Sequence, residues 1–330
     1  MINNTITPKK LKKGSHIRVI APSRSMKIIS SESQEYALKR LEEFGFKVSF
    51  AVNISETDEF NSSSVISRIT DLHNAFSDPS VDAIFTVIGG YNSNQLLNHI
   101  DFDLIKKNPK IICGFSDITA LNNAITAKTG MITYIGPHFS SWAMMKGFEY
   151  SIEYFVKSCM EDRVYELPPS DIWSDDPWYL DQVNRNFIKN EGYWIMNPGH
   201  AVGRTVGGHV RCLNALQGTD FWPSLDDSIL LLEEDSEINP ELFDRELQSI
   251  IHQSDFKGVQ GIIIGRFQRK TSMTKEKLAK IIGSKPALKN VPIIANVDLG
   301  HTTPLATFPI GGAVELSLSD TIAIIRIIEH

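Results

Sequence analysis

The apolar positions of this chain fall into two patterns that alternate. Short, β-branched runs recur at residues 16–21 (HIRVIA, halted by Pro22), 46–52, 81–88 and 110–114. Between them the apolar residues return at helical spacing. Ser31, with Gln34 three residues on, reads as a capping box. The helix it opens shows Tyr36, Leu38, Leu41 and Phe44 on one face, and Gly45 ends it. Ser64 caps a second helix with Val65, Ile69, Leu72 and Phe76 on its apolar face. Further helical segments begin near Asn94 and cover about 117–127. Near-continuous apolar strands are typical of a parallel sheet covered on both faces. Their alternation with helices predicts a doubly wound parallel sheet.

The middle of the chain loses this rhythm. Residues 168–198 show no clean period and hold Trp173, Trp178 and Trp194 beside Asp175-Asp176. An aromatic-rich connection of this length reads as a flap or a packed linker. Beyond it come the glycines between Gly199 and Gly208, strands at 228–232, 261–264 and 292–296, and a helix over 240–252. Residues 313–316 and 321–328 read as β. The expected class is α/β, with an N-terminal doubly wound parallel-sheet domain over 1–165. A Trp-rich linker or flap then covers 166–200, and a smaller C-terminal mixed β/α domain covers 201–330, with the active site between the domains.

Charge and cysteine content narrow the partners. The 330 residues carry 33 Lys+Arg against 39 Asp+Glu, a net charge of −6. A mildly acidic chain without a Lys/Arg cluster is ill suited to a phosphate backbone, so no nucleic-acid partner is expected. The basic run Lys9-Lys10-Leu11-Lys12-Lys13 reads as a solvated tail. No apolar stretch approaches the roughly 18 residues of a membrane span, so no membrane partner is expected. The opening residues Met1 to Thr5 are polar and offer no export signal. Cys113, Cys159 and Cys212 form no CxxC pair, which argues against a zinc knuckle or a redox motif. A cytoplasmic location is the expectation.

Candidate chemistry sits at the ends of four predicted strands. Gly114-Phe115-Ser116-Asp117 places a serine on a tight strand-to-helix turn, with the N–H groups of a helix start beside it. Ser116 also suits a plain helix N-cap. At Gly89-Gly90-Tyr91-Asn92, two glycines let the backbone approach a ligand at the sheet edge where α/β proteins bind one. The N–H groups of Gly90 and Asp117 could together hold an oxyanion. Glu233-Glu234-Asp235 follows an apolar strand, and a carboxylate there can orient a histidine. His301, in Gly300-His301-Thr302-Thr303-Pro304, is placed to act as a general base. No HExxH or similar spacing is present, so a metal is the weaker reading of His301 and no cofactor is expected.

These residues together resemble the LD-carboxypeptidase family of serine peptidases. The resemblance rests on Ile17-Arg18-Val19-Ile20-Ala21-Pro22-Ser23, the stretch from Gly89 to Leu97, Gly114 to Leu121, Gly207-Gly208, Leu232-Glu233, Gly300 to Pro304 and Pro309-Ile310-Gly311. It spans nearly the whole chain. It implies a catalytic triad of Ser116, Glu233 and His301, with Gly90 and Asp117 as the oxyanion hole. Glu233 is preferred because it directly follows the apolar strand, with Glu234 as the alternative. His209 follows the glycine pair where the family often carries Asn, a departure that bears on substrate contacts.

The resemblance implies a hydrolase of amide bonds, with two branches inside the family. One trims murein tetrapeptides as an LD-carboxypeptidase. The microcin C self-immunity branch cuts peptidyl- or aminoacyl-nucleotide amides, and the Trp-rich insert is more like this second branch. Trp173 and Trp178 are candidates to stack on a base, with Tyr91 and His209 as further substrate contacts. The expected partner is a small peptide or peptidyl-nucleotide, and the expected assembly a homodimer. A non-catalytic nucleotide or peptide binder on the same scaffold is the rival from another class.

Overall fold

The computed structural model describes residues 5–330. Met1 to Asn4, part of the polar opening read as lacking an export signal, lie outside the described residues. Strands β1 (His16–Ile20), β2 (Lys47–Phe50), β3 (Ala83–Thr86), β4 (Ile111–Cys113) and β5 (Thr133–Ile135) run parallel in the order β5-β4-β3-β1-β2. Every residue of β3, β4 and β5 is buried, which is why their sequences are apolar without alternation. The order reverses between β1 and β3. In an open α/β sheet, that reversal leaves a crevice at the carboxyl ends of the strands.

Helices α1 (Ser31–Glu43), α2 (Val65–Ser77), α3 (Phe102–Lys107) and α4 (Ile118–Thr129) connect these strands. Ser64 caps α2 as the sequence predicts, accepting from Ser67 N at 3.0 Å. The α1 cap is Ser30, not Ser31. Ser30 is extended and accepts from Ser33 N, while Gln34 turns back to the Ile29 carbonyl at 2.7 Å instead of closing a capping box. Adjacent serines make such a shift of one residue invisible to pattern. The basic run also differs from expectation. Leu11 is buried and Lys10 Nζ donates to the carbonyls of Ser158 and His330, each at 2.6 Å, so the run is docked and not a free tail.

The remaining strands are β6 (Tyr165–Glu166), β7 (Ile172–Trp173), β8 (Ile188–Lys189), β9 (Trp194–Asn197), β10 (Gly199–His209), β11 (Ser228–Glu233), β12 (Val259–Gly265), β13 (Ile293–Val297), β14 (Phe308–Ile310), β15 (Ala313–Leu318) and β16 (Ala323–Glu329). Eight of them form a second, mixed sheet in the order β6-β16-β15-β10-β11-β12-β13-β9. Its centre, β10 to β13, is parallel, and its flanks are antiparallel. β14 leaves the second half of the chain to pair antiparallel with β5 in the first sheet. The segment without clean period holds the β7–β8 ribbon, and paired bonds between Ser174 and Thr303 at 2.8 Å tie it to the loop of His301.

The helix behind Ser116 docks directly on the second sheet. Asn123 of α4 exchanges two hydrogen bonds with the Gly207 backbone, at 2.8 and 2.9 Å, and Thr119 Oγ1 accepts from His209 N at 3.0 Å. A Cβ on Gly208 would meet Thr119 Oγ1 at 2.6 Å, and its φ of +131° is itself hostile to a side chain. The glycine pair is therefore the flat seat that lets α4 approach. Because His209 pairs with Glu233 in register, the same seat carries the end of β11 toward Ser116.

Candidate active site

Ser116 lies between the end of β4 and the start of α4 with φ +60°. A left-handed conformation costs a non-glycine residue about 1–2 kcal/mol, and a functional turn is a usual reason to keep it. The N-cap position of α4 belongs to Asp117, and no side-chain cap bond is made there. Ser116 thus does not serve as the helix cap. A Cβ on Gly89 would lie 2.9 Å from Ser116 Cβ and 3.0 Å from its Oγ, so only glycine lets the β3 loop come this close.

Asp117 joins the two loops. Its Oδ2 accepts from Ser23 Oγ at 2.5 Å, Asn92 N at 3.0 Å and Ser93 N at 2.9 Å, and its carbonyl accepts from Ser93 Oγ at 2.7 Å. The turn after Gly90 is thereby fixed to the turn of Ser116. Among the described residues, the N–H groups of Gly90 and Asp117 donate to no protein acceptor. Free, preorganised donors of this kind suit an oxyanion.

Glu233 ends β11 and is buried, and its Oε2 lies 2.8 Å from His301 Nδ1. Burial pushes the Glu233 carboxyl up, but the adjacent His301, by charge and hydrogen bond, and then His209 bring it below the usual carboxylate range. Glu234 faces elsewhere. It accepts from Arg211 Nε at 3.0 Å, while Asp235 takes Arg211 Nη2 at 2.7 Å. The carboxylate on His301 is therefore Glu233 and not its neighbour. No hydrogen bond joins Ser116 Oγ to His301 among the described residues, although both face one cavity. Such bonds commonly tighten only when substrate is bound.

That cavity has a volume of about 720 Å³, within the range of small-molecule sites. Ser116, His301, Gly90, Tyr91, Trp178 and His209 line it. Trp173 does not. The Arg266 guanidinium lies 5.2 Å from its ring centroid, and Arg266 is itself paired with buried Asp298 at 2.6 Å. Its face is spent on packing, so the expectation of Trp173 at the ligand is corrected.

His209 is buried, with Nε2 at 3.3 Å from Glu234 and 3.5 Å from Asp235. Burial opposes its charge, but Asp235, then Cys212 and Glu233, outweigh that and raise its pKa well above the ordinary value. The sequence reading missed Arg211, whose three carboxylate partners include Glu237 at 3.5 Å, and the tie made by the Asp117 side chain. Only a spacing of two residues from His209 could have pointed to Arg211.

The chain matches the family model for the LD-carboxypeptidase N-terminal domain over residues 17–136, and that for the C-terminal domain over 202–316. YocD of Bacillus subtilis (strain 168), which carries a carboxypeptidase name, is 49% identical over 93% of this chain and 94% of its own. A crystal structure of an MccF-like protein from Bacillus anthracis str. Ames is 52% identical, covers 99% of this chain and 100% of its own, and superposes with a TM-score of 0.98. The microcin C7 self-immunity protein MccF of Escherichia coli is 29% identical over 82% of this chain and 81% of its own. MccF bound to aspartyl sulfamoyl adenosine superposes with a TM-score of 0.89 at 26% identity, covering 98% of this chain and 99% of the other. The two domain models and these relatives, which span most of both halves, make the chain a member of the LD-carboxypeptidase family of serine peptidases.

Proposed function

We propose that this enzyme hydrolyses the amide linking an aminoacyl or peptidyl group to a nucleotide-like moiety, through Ser116, Glu233 and His301. The observation that carries the reading is the shared cavity, where Ser116, His301, Gly90 and the half-buried Trp178 face one space. In this reading His301 Nε2 takes the Ser116 proton as Oγ attacks the acyl carbonyl. The oxyanion rests on the N–H groups of Gly90 and Asp117, each worth about 3 kcal/mol. His301 then protonates the departing nitrogen. Water, activated by the same imidazole, hydrolyses the acyl-serine ester and restores Ser116. Glu233 holds Nδ1 protonated and stabilises the imidazolium throughout.

Two likenesses favour the nucleotide side of the family. MccF is described bound to aspartyl sulfamoyl adenosine, and an MccF-like protein of Streptococcus pneumoniae, 25% identical with a TM-score of 0.80, is described with AMP. Trp178 supplies an aromatic face of the kind that stacks on a base. The test is to incubate the purified chain with aspartyl sulfamoyl adenosine and, separately, with a murein tetrapeptide, and to follow products by mass spectrometry. Release of aspartate by the native chain but not by Ser116→Ala is the expected result. Cleavage of the murein peptide alone would replace the proposed substrate class, and undiminished hydrolysis by Ser116→Ala would remove the nucleophile.

A further inference from the structure

His209, Asp235 and His301 each present one ligand atom, and the three atoms lie within 4.8 Å of one another. They come from three separate segments, the end of β10, the turn after β11 and the loop after β13. Two features set this cluster apart from an ordinary group of polar residues. His209 is more than nine-tenths buried, yet neither ring nitrogen makes a hydrogen bond of acceptable geometry. His301 has its Nδ1 bound to the Glu233 carboxylate at 2.8 Å, which leaves Nε2 as its free donor atom. A carboxylate behind one imidazole nitrogen is the usual support of a metal-binding histidine, because it fixes the tautomer and raises ligand basicity.

We propose that His209, Asp235 and His301 form an inhibitory site for a zinc-like divalent cation. Two imidazoles and one carboxylate suit Zn²⁺, whereas Mg²⁺ and Ca²⁺ favour oxygen ligands, and Zn²⁺ binding releases to solvent the proton that the neighbouring carboxylates otherwise hold on His209. Tetrahedral Zn²⁺ with bonds near 2.0–2.2 Å sets its ligand atoms about 3.3 Å apart. The 3.5 Å between His209 Nε2 and Asp235 Oδ2 is close to that spacing, and the His301 atom, within 4.8 Å of the others, closes the site by a side-chain adjustment. The nearby Glu233 carboxylate adds favourable potential for a dication, offset in part by the Arg211 guanidinium that pairs with Glu234 and Asp235. The cation occupies the His301 Nε2 lone pair, the same pair that removes the Ser116 proton in the function proposed above. The inhibitory half of the inference rests on that function, and the binding half does not.

The test is calorimetric titration of the full chain with ZnCl₂, alongside labelling of Ser116 by a fluorophosphonate probe. The expected result is one Zn²⁺ per chain, bound at least tenfold more weakly by Asp235→Asn and by His209→Gln, and retained by Ser116→Ala. MgCl₂ gives no such binding. Labelling falls as the site fills and returns when EDTA is added. Absence of saturable binding, native affinity in either ligand variant, or full labelling of the Zn²⁺-saturated chain would each overturn the proposal. Failure of Ser116 to label even without Zn²⁺ counts against the proposed nucleophile instead, and the binding isotherms still decide the metal site.

Discussion

His301 Nδ1 and Glu233 Oε2 stand 2.8 Å apart although 68 residues separate them in sequence. Glu234 meanwhile spends its oxygens on Arg211. Glu233→Gln keeps the size of the side chain, removes the charge that supports an imidazolium, and can present an N–H to His301 in place of an acceptor. The expected loss in kcat is on the order of 10³–10⁴, as in triads whose carboxylate becomes an amide. Glu234→Gln should cost far less in kcat, because it leaves the His301 pair intact. Steady-state kinetics of the two variants, with unfolding curves to confirm that both fold, separates the neighbouring carboxylates.

The left-handed backbone of Ser116 predicts a stability difference between two inactive variants. Ser116→Ala keeps a Cβ at φ +60°, and Ser116→Gly removes it. Urea unfolding should show Ser116→Gly more stable than Ser116→Ala by about 1 kcal/mol. Equal stabilities would mean that the turn stores no strain.

Much of this site could be read from strand ends. Buried strands without alternation announce a covered parallel sheet, and residues just past their carboxyl ends are where such sheets bind ligands. Ser116, Gly90 and His301 were legible for that reason. The preference for Glu233 over Glu234 rested on the family resemblance and its place after the apolar strand, because a strand's last residues can turn to either side, and the pairing of β10 with β11 is what brings Glu233 to His301. Trp173 and Trp178 are alike in sequence, five residues apart, yet one packs on Arg266 and the other lines the cavity. The Ser30 cap and the docking of Lys10 depend on contacts more local, or more distant, than periodicity can reach.

The tie made by Asp117 predicts a coupled loss. Three donors meet its Oδ2 at 2.5–3.0 Å. Asp117→Ala leaves the two backbone N–H groups of Asn92 and Ser93 without their acceptor and frees the Gly90 turn. Hydrogen bonds to a charged group contribute about 1.5–3 kcal/mol each, so a stability loss of about 3 kcal/mol or more is expected. A fall in kcat larger than the rise in KM should accompany it, since the Gly90 donor acts on the transition state. Kinetics and urea unfolding on the same preparation test both parts.

Trp178→Ala and Trp173→Ala should fail in different ways. Loss of a stacking face costs about 1–3 kcal/mol of base affinity, or roughly 5- to 150-fold in KM for a nucleotide substrate. Trp178→Ala should show that rise, with a modest fall in unfolding midpoint because the ring also packs against the core around the first sheet. Trp173→Ala should lower the midpoint by uncovering Arg266 and leave KM nearly unchanged. A KM effect confined to Trp173→Ala would reverse the assignment of the two rings.

His138 predicts a pH dependence of stability. The imidazole is buried behind Ser116, stacked on Phe115 at 4.4 Å, with Nδ1 at 2.7 Å from Thr86 Oγ1. Burial, and then the charge of His301, push its pKa down to about 3. The unfolded chain titrates this group near 6.5. Between those values the unfolded state binds the extra proton, so stability is full above about pH 6.5 and falls as the pH drops toward 3. From this group the slope is at most about 1.4 kcal/mol per pH unit. His138→Gln should be less stable than the native chain at pH 8 through lost packing, but should lose stability more slowly between pH 6 and 4. Urea unfolding of both proteins at half-unit steps measures the two slopes. Parallel curves would show that His138 is not held neutral in the fold.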